Sequence, residues 1–144
     1  MADFNSIADM IESCAAEAVL IGREQFGFTL DYSDRSIQSL ETILASIAVG
    51  LDASDKESIE QAVKVWGSYF GEVARRSFGG AWELVQPPGR VAAVPTLVMG
   101  GSQLYPMMKI YRRLTMGEPE NVWKFYERIR PRLSFVHPTD SFAN

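Results

Sequence analysis

Glu72, Arg75, Arg76 and Trp82 are the residues of this chain whose types and spacing could do chemistry. A carboxylate followed by two guanidinium groups, with an indole nearby, could form a pocket that binds or converts a small ligand. A general acid or base needs a second titratable group, however, and the sequence shows no obvious companion to Glu72. Pairs at i,i+3 and i,i+4 contribute about 0.2–0.5 kcal/mol each to a surface helix. We therefore assign no catalytic residue, favour a structural ion pair, and retain the pocket as an alternative.

The other candidates for catalysis or cofactor binding are single residues. Cys14 is the only cysteine and His137 the only histidine, so the sequence has neither a Cys–His pair of nucleophile and base nor a paired metal-ligand spacing. Gly100-Gly101-Ser102 is rich in glycine but lacks the spacing of phosphate-binding loops. The sequence predicts neither a metal ion nor a cofactor.

A short basic and aromatic segment raises the question of nucleic-acid binding. It contains Lys109, Arg112 and Arg113, with Tyr105 and Tyr111 between and before them. The isoelectric point of about 5.0 lies far below the basic values typical of nucleic-acid-binding domains. We therefore expect a solvated helix face here and no nucleic-acid partner.

Length and composition indicate one globular domain over residues 1–144. The chain is 47% hydrophobic and 22% charged, which is close to the globular average. No apolar run approaches the roughly 18 residues that a membrane-spanning helix needs. The first residues carry acids where a secretory signal would carry basic residues. With a single cysteine, these features predict a cytoplasmic protein without a membrane partner.

The charges are unevenly distributed along the chain. Residues 1–60 contain 12 acidic and 3 basic side chains, whereas residues 61–132 contain 5 acidic and 11 basic side chains. Such asymmetry can attract a charged partner, but acidic helices that pack beside basic ones within one domain also produce it, and we favour that second interpretation. The acidic residues that we propose as partner contacts are Asp52, Asp55, Glu57 and Glu60.

Apolar periodicity predicts three helices in the first half of the chain. The first covers residues 3–22 and ends at Gly22 or Gly27, and an extended segment or short strand follows over residues 28–32. Ser33 is the expected N-cap of the second helix, which ends at Gly50. A capping box from Ser54 to Glu57 should begin the third. Its expected apolar face, ended by Gly79-Gly80, consists of Ile59, Val63, Trp66, Phe70 and Val73.

The second half predicts strands followed by helices. Residues 81–86 and 91–99 favour strands, and Pro95 argues for an edge position or a bend in the latter. Gly100-Gly101 should turn the chain into a third strand, and Pro106 should begin a helix. A last helix should start near residues 118–120 and break at Pro131, with an irregular tail after about residue 134. Together these elements predict an α+β fold: N-terminal helices, a small three-stranded antiparallel meander, and C-terminal helices.

Two glycines inside the third predicted helix indicate a close contact between backbones. Gly67 and Gly71 lie four residues apart and therefore share one side of that helix. Each costs about 0.5–1 kcal/mol relative to alanine, so a packing reason is expected. Either a partner approaches this strip or another part of the domain does, and we favour the second interpretation. Trp82 is likewise interpreted as a core anchor more than as an exposed recognition residue.

The segment Tyr69-Phe-Gly-Glu-Val-Ala-Arg-Arg-Ser-Phe-Gly-Gly-Ala-Trp82 resembles the central motif of small uncharacterised bacterial α+β domains of the toxin-immunity type. The likeness covers roughly residues 30–130, and its distinctive positions are Gly71-Glu72, Gly79-Gly80 and Trp82. Similar small proteins often accompany secreted bacterial toxins as immunity partners. The resemblance therefore implies a protein that binds a cognate toxin.

Three hypotheses about function follow. The first is a non-catalytic binding protein, namely a bacterial immunity protein that neutralises a cognate secreted toxin by occluding its active site, with the four acidic residues above as contacts. The second is a small-ligand-binding or enzymatic domain that uses Glu72, Arg75 and Arg76 near Trp82. The third is a scaffold or secretion-adaptor subunit, which would expose a large apolar patch and form obligate oligomers.

Overall fold

In the computed structural model, which describes residues 6–135, three helices precede a three-stranded antiparallel sheet along the chain, and a 3-10 turn and two helices follow it. The sheet is a meander with the strand order β1-β2-β3. This arrangement confirms the predicted α+β fold. The described elements are, in chain order, α1 (Ile7–Phe26), α2 (Ser36–Gly50), α3 (Lys56–Phe78), β1 (Ala81–Val85), β2 (Val94–Met99), β3 (Ser102–Leu104), α4 (Pro106–Met116), a 3-10 turn (Glu118–Glu120) and α5 (Val122–Phe135).

Helix α3 lies at the centre of the fold. Every residue from Val65 to Ala74 is buried, whereas the sequence predicted only one apolar face. The reason is that α3 packs against α1 on one side and α4 on another, and also contacts α2 and β2. Val63, by contrast, is only half-buried. The apolar pattern located the helix correctly but underestimated how completely it is enclosed.

Local capping chemistry determines both ends of α1 and shapes the turn before α2. The Ser6 hydroxyl accepts a hydrogen bond from the Asp9 N–H at 3.1 Å, and Gly27 ends α1 with a φ of 75°. The following segment is extended and forms no strand. The expected N-cap at Ser33 is wrong, because the N-cap of α2 is Arg35, whose side chain makes no capping hydrogen bond. The Ser33 hydroxyl instead accepts from the Ser36 N–H at 3.2 Å and stabilises the turn that leads into α2.

The predicted capping box at the start of α3 is wrong. Asp55 is the N-cap, and its carboxylate accepts hydrogen bonds from the Ser58 N–H at 3.2 Å and from the Ser58 hydroxyl at 2.7 Å. Ser54 instead donates its N–H and its hydroxyl to Asp52, at 2.9 and 2.8 Å. Asp55 displaces Ser54 as the N-cap because a carboxylate accepts these hydrogen bonds as well as a hydroxyl does. Its negative charge also interacts favourably with the helix dipole.

Replacing Asp55 with alanine should lower the free energy of unfolding by about 1 kcal/mol, because the first turn of α3 loses its cap. Asp55→Asn should cost far less, since asparagine caps equally well without the charge. Urea unfolding followed by circular dichroism measures both variants. Equal losses for Asp55→Ala and Asp55→Asn would show that the charge, and not the cap, is what matters.

Pro95 occupies the central strand, which corrects its expected edge position or bend. In β2 it pairs with Leu84 of β1, whereas β3 pairs only with Leu97, Val98 and Met99. The part of β2 that contains Pro95 therefore has a neighbouring strand on one side only. Because proline lacks an N–H, it fits a part of the strand that pairs with a neighbour on one side only. The prediction failed because it assigned one position, edge or centre, to the whole of β2.

The predicted break at Pro131 is also wrong, since α5 continues through it to Phe135. Proline removes the hydrogen bond to the carbonyl of Glu127, four residues earlier. Both Pro131 and Glu127 are exposed, so water can satisfy that carbonyl. The predicted irregular tail, with His137, lies outside the described residues.

The glycine strip of α3 packs within the domain, as predicted. A Cβ on Gly67 would lie 3.1 Å from the Cα of Met107, and a Cβ on Gly71 would lie 2.2 Å from the Cη2 atom of Trp82 and 2.9 Å from Cγ of Pro106. The two glycines thus let the start of α4 and the Trp82 ring approach the α3 backbone. Trp82 is buried, which confirms its role as a core anchor.

Candidate functional site

Glu72 lies at the centre of a buried polar cluster. Its carboxylate accepts two hydrogen bonds from Arg75, from Nε to Oε2 at 2.7 Å and from Nη2 to Oε1 at 2.9 Å. The Trp82 indole Nε1–H donates to Oε2 at 2.8 Å, and the Arg76 Nε lies 3.5 Å from Oε1. Only 2% of Glu72 is exposed. The sequence-predicted pocket residues therefore do meet, around a carboxylate that is already well supplied with donors.

The cluster holds Glu72 in its charged form. Burial alone would raise the pKa of Glu72, but the hydrogen bonds from Arg75 and Trp82 and the charges of both arginines together hold that pKa below the ordinary value of 4.5. The hydrogen bond to Glu72 correspondingly raises the pKa of Arg75. A carboxylate with a lowered pKa is a weak proton acceptor at neutral pH, which suits an ion pair better than a general base.

The linker between α1 and α2 is tied to the same region. The guanidinium carbon of Arg76 lies 3.6 Å from the ring centroid of Tyr32, a cation–π contact. Tyr32 has a φ of 65°, and its N–H donates to the Tyr69 hydroxyl at 2.9 Å. The Tyr69 and Ser36 hydroxyls are 2.6 Å apart. The Tyr69 hydroxyl thus holds the linker to α3.

A cavity of about 390 Å³ adjoins the Glu72 cluster. Glu72, Arg75 and Trp82 line it, and Arg76 does not. The structure adds Glu12 of α1, an acidic residue that sequence reasoning did not connect with Glu72. The position of Glu12 on an exposed face of α1 did not indicate that it lies near Glu72. Their proximity depends on how α1 packs across α3.

A larger groove of about 590 Å³ lies between α1, the end of α2 and the first half of α3. We call it the acidic groove, because Glu17 and Glu57 stand on its rim with Gln25 and Gln61. Within residues 6–135, neither glutamate forms an ion pair. The apolar residues that line it are Ile21, Phe26, Ile47, Ala62, Val65 and Trp66.

The four acidic residues predicted as partner contacts are all exposed, but they do not form one surface. Asp52 and Asp55 accept the local hydrogen bonds that begin α3. Glu57 lines the acidic groove, whereas Glu60 lines a different groove. At 100° per residue, the α3 side chains that line the first groove face away from those that line the second.

The predicted solvated face of α4 is wrong for two of its three basic residues. Arg113 is buried and donates from Nε to both Glu41 carboxylate oxygens, at 2.9 and 3.1 Å. Lys109 is buried beside Glu120, with Nζ 2.8 Å from Oε1. These charges connect α4 to α2 and to the 3-10 turn, and contact partners this distant in sequence leave no local pattern. Arg112 remains on the surface.

Across residues 6–135, no group of three or more His, Cys, Asp or Glu side chains is placed to hold a metal ion. None of the helices described there combines the length and apolar character needed to cross a bilayer. The chain matches no known family model, no curated protein and no solved structure. The functional assignment therefore rests on the geometry of the clusters and grooves.

Proposed function

We propose that this protein is a non-catalytic binding protein of the bacterial cytoplasm, an immunity protein that neutralises a cognate secreted toxin by binding it and occluding its active site. The observation that carries the proposal is the acidic groove. Its rim glutamates, Glu17 and Glu57, have no basic partner in the described part of the chain, and its apolar floor is concave. This combination suits a basic and apolar segment of another protein.

The charge of the groove specifies the kind of toxin surface it would bind. Toxins that act on nucleic acids or nucleotides need basic clefts to hold phosphate groups. An acidic surface is attracted to such a cleft, speeds association and competes with the anionic substrate. Aromatic residues such as Phe26 and Trp66, which meet edge to face with centroids 6.3 Å apart, give the groove floor a rigid apolar surface.

The test is co-expression with the product of the adjacent gene. We expect the protein to restore growth of cells that produce that product inside the cytoplasm, and to form a purified complex with it. If the two proteins neither bind nor give protection, the proposal is wrong.

Charge reversal then locates the interface. Glu17→Arg and Glu57→Arg should each weaken the complex about tenfold or more in isothermal titration calorimetry, more at low salt than at high salt. Glu127→Arg, an exposed change on α5 away from the groove, is the matched control and should leave affinity unchanged. Asp55→Asn removes a charge but keeps the cap of α3, so it reports on contact without unfolding. Equal effects at Glu57 and Glu127 would place the interface elsewhere.

One observation favours the alternative of a small-ligand-binding or enzymatic domain. The cavity beside Glu72 contains a second acid, Glu12, and the partly exposed Arg75, so it offers a charged lining to a small polar molecule. The donors already bound to Glu72 make this alternative second to protein binding, since a ligand would have to compete with Arg75 and Trp82 for the carboxylate.

A further inference from the structure

A second groove, with the opposite character, lies on the other side of α3. It measures about 660 Å³ and is formed by α1, α3, α4 and the start of β2. Four of the six methionines in the chain line it, and we call it the methionine groove: Met10, Met107, Met108 and Met116. Methionine is flexible and polarisable, and methionine-rich surfaces adapt to apolar partners of varied shape.

The lining of this groove remains open to solvent. Met116 is 62% exposed and Tyr111 is 49% exposed, although both are large apolar side chains on α4. A smaller cavity of about 150 Å³ shares Arg90, Val94 and Met108 with the groove, and Val91, which is 98% exposed, lines it. The apolar surface therefore continues from α4 along the connection between β1 and β2. A contiguous exposed apolar surface of this kind is typical of an interaction site.

Three basic side chains lie around the methionine groove. Lys64 comes from α3, Arg112 from α4 and Arg90 from the β1–β2 connection, so they approach from three sides. None of them forms an ion pair with any residue between 6 and 135. Glu60 is the one acidic residue in the lining. The rim thus has an excess of positive charge around an apolar floor.

We propose that the methionine groove binds an amphipathic helix with an acidic polar face, presented by a partner protein. The apolar face of such a helix would lie against the methionines and Tyr111, and its carboxylates would face Lys64, Arg90 and Arg112. This mode of recognition uses apolar residues spaced at three and four along the bound helix. A small-molecule site encloses most of its ligand, whereas Tyr111 and Met116 of this groove remain widely exposed to solvent, which favours a helix.

The inference is independent of the proposed toxin binding, because it concerns the opposite side of α3 and a partner of opposite charge. Loss of toxin protection through Glu57 would not affect it, and failure of helix binding would not affect toxin protection. The two surfaces can therefore be tested separately with the same purified protein.

The test uses a fluorescein-labelled peptide of 18 residues that places leucine on one helical face and glutamate on the other. We expect saturable binding in fluorescence anisotropy, with a dissociation constant in about the micromolar range. The same peptide with glutamine at each glutamate position should bind at least about tenfold more weakly. Equal binding of the two peptides, or binding of neither, would overturn the proposal.

Methionine-methyl NMR shows where the peptide binds. The signals of Met10, Met107, Met108 and Met116 should shift on titration, while that of Met99, a residue of β2 that is only 1% exposed, should stay in place. Shifts that bypass the four groove methionines would contradict the proposal.

Charge variants complete the test. Lys64→Glu and Arg90→Glu change exposed rim residues and should each weaken acidic-peptide binding about tenfold, whereas Lys124→Glu, an exposed change on α5, should have no effect. If Lys124→Glu weakened peptide binding equally, the effect would come from net charge alone and the proposed site would be wrong.

Two further results would also overturn the proposal. One is that sodium oleate binds more tightly than the peptide and shifts the same methyl signals. The other is that light scattering shows a dimer that Met116→Glu dissociates.

Discussion

Gly71→Ala is expected to lower the free energy of unfolding by about 3 kcal/mol, because the added methyl group has no room. The new Cβ would lie 2.2 Å from Cη2 and 2.6 Å from Cζ2 of Trp82, well inside van der Waals contact. Pro106 closes the other side, with its Cγ at 2.9 Å. The indole cannot simply turn aside, because its Nε1–H is bonded to the buried carboxylate of Glu72.

Urea unfolding with Gly50→Ala as the matched control measures this effect. Gly50 is also a helical glycine, but a Cβ there would meet nothing within 4 Å, so the change should be neutral or stabilising by up to about 1 kcal/mol. Gly67→Ala should fall between them, since its Cβ would approach the Met107 backbone at 3.1 Å. If Gly71→Ala and Gly50→Ala were equally stable, the packing of Trp82 against α3 would be contradicted.

The fold could be predicted from sequence where one local signal determines each element. Gly27, Gly79 and Pro106 all act at the ends of helices, and the strands lie close to where alternation and turn residues placed them. Predictions were wrong where two local signals compete, or where exposure to solvent allows a residue that would otherwise end a helix. Asp55 outcompeted Ser54 as N-cap, and Pro131 stays inside α5 because its surroundings are exposed.

The candidate sites were less predictable, because each joins residues from separate elements. Glu72 with Arg75 could be predicted, since the two lie three residues apart on one helix, but the indole bond from Trp82 depends on how β1 leaves α3. Neither groove was predicted. Glu17 with Glu57, and Lys64 with Arg112, come together only through the packing of α1 and α4 against α3. The signal that could have drawn attention to the second groove is the pair Met107-Met108 at the start of a basic helix.

Glu72→Ala is expected to lower the free energy of unfolding by about 3 kcal/mol at pH 7. The change leaves the buried indole N–H of Trp82 without an acceptor, which costs about 1–3 kcal/mol, and removes the partner of two arginines. The Arg75 and Arg76 side chains are 39% and 40% exposed, so water can solvate them once Glu72 is removed. The loss of stability is therefore near the lower end of the range that is typical when one partner of a buried ion pair is removed. Glu24→Ala, which breaks an exposed pair with Arg23 at 3.8 Å, should change stability by less than about 0.5 kcal/mol.

The pH dependence of the same residue separates its charge from its packing. Because folding lowers the pKa of Glu72 below 4.5, the charge stabilises the protein above that value, and this stabilisation is lost as the pH falls through the folded-state pKa. The stability difference between the unmodified protein and Glu72→Gln should therefore be constant above about pH 5.5 and shrink below pH 4.5. Urea unfolding from pH 7 to pH 3 measures it. A difference that stayed constant over the whole range would mean that Glu72 contributes through shape alone, and that its ion pairs with Arg75 and Arg76 add nothing.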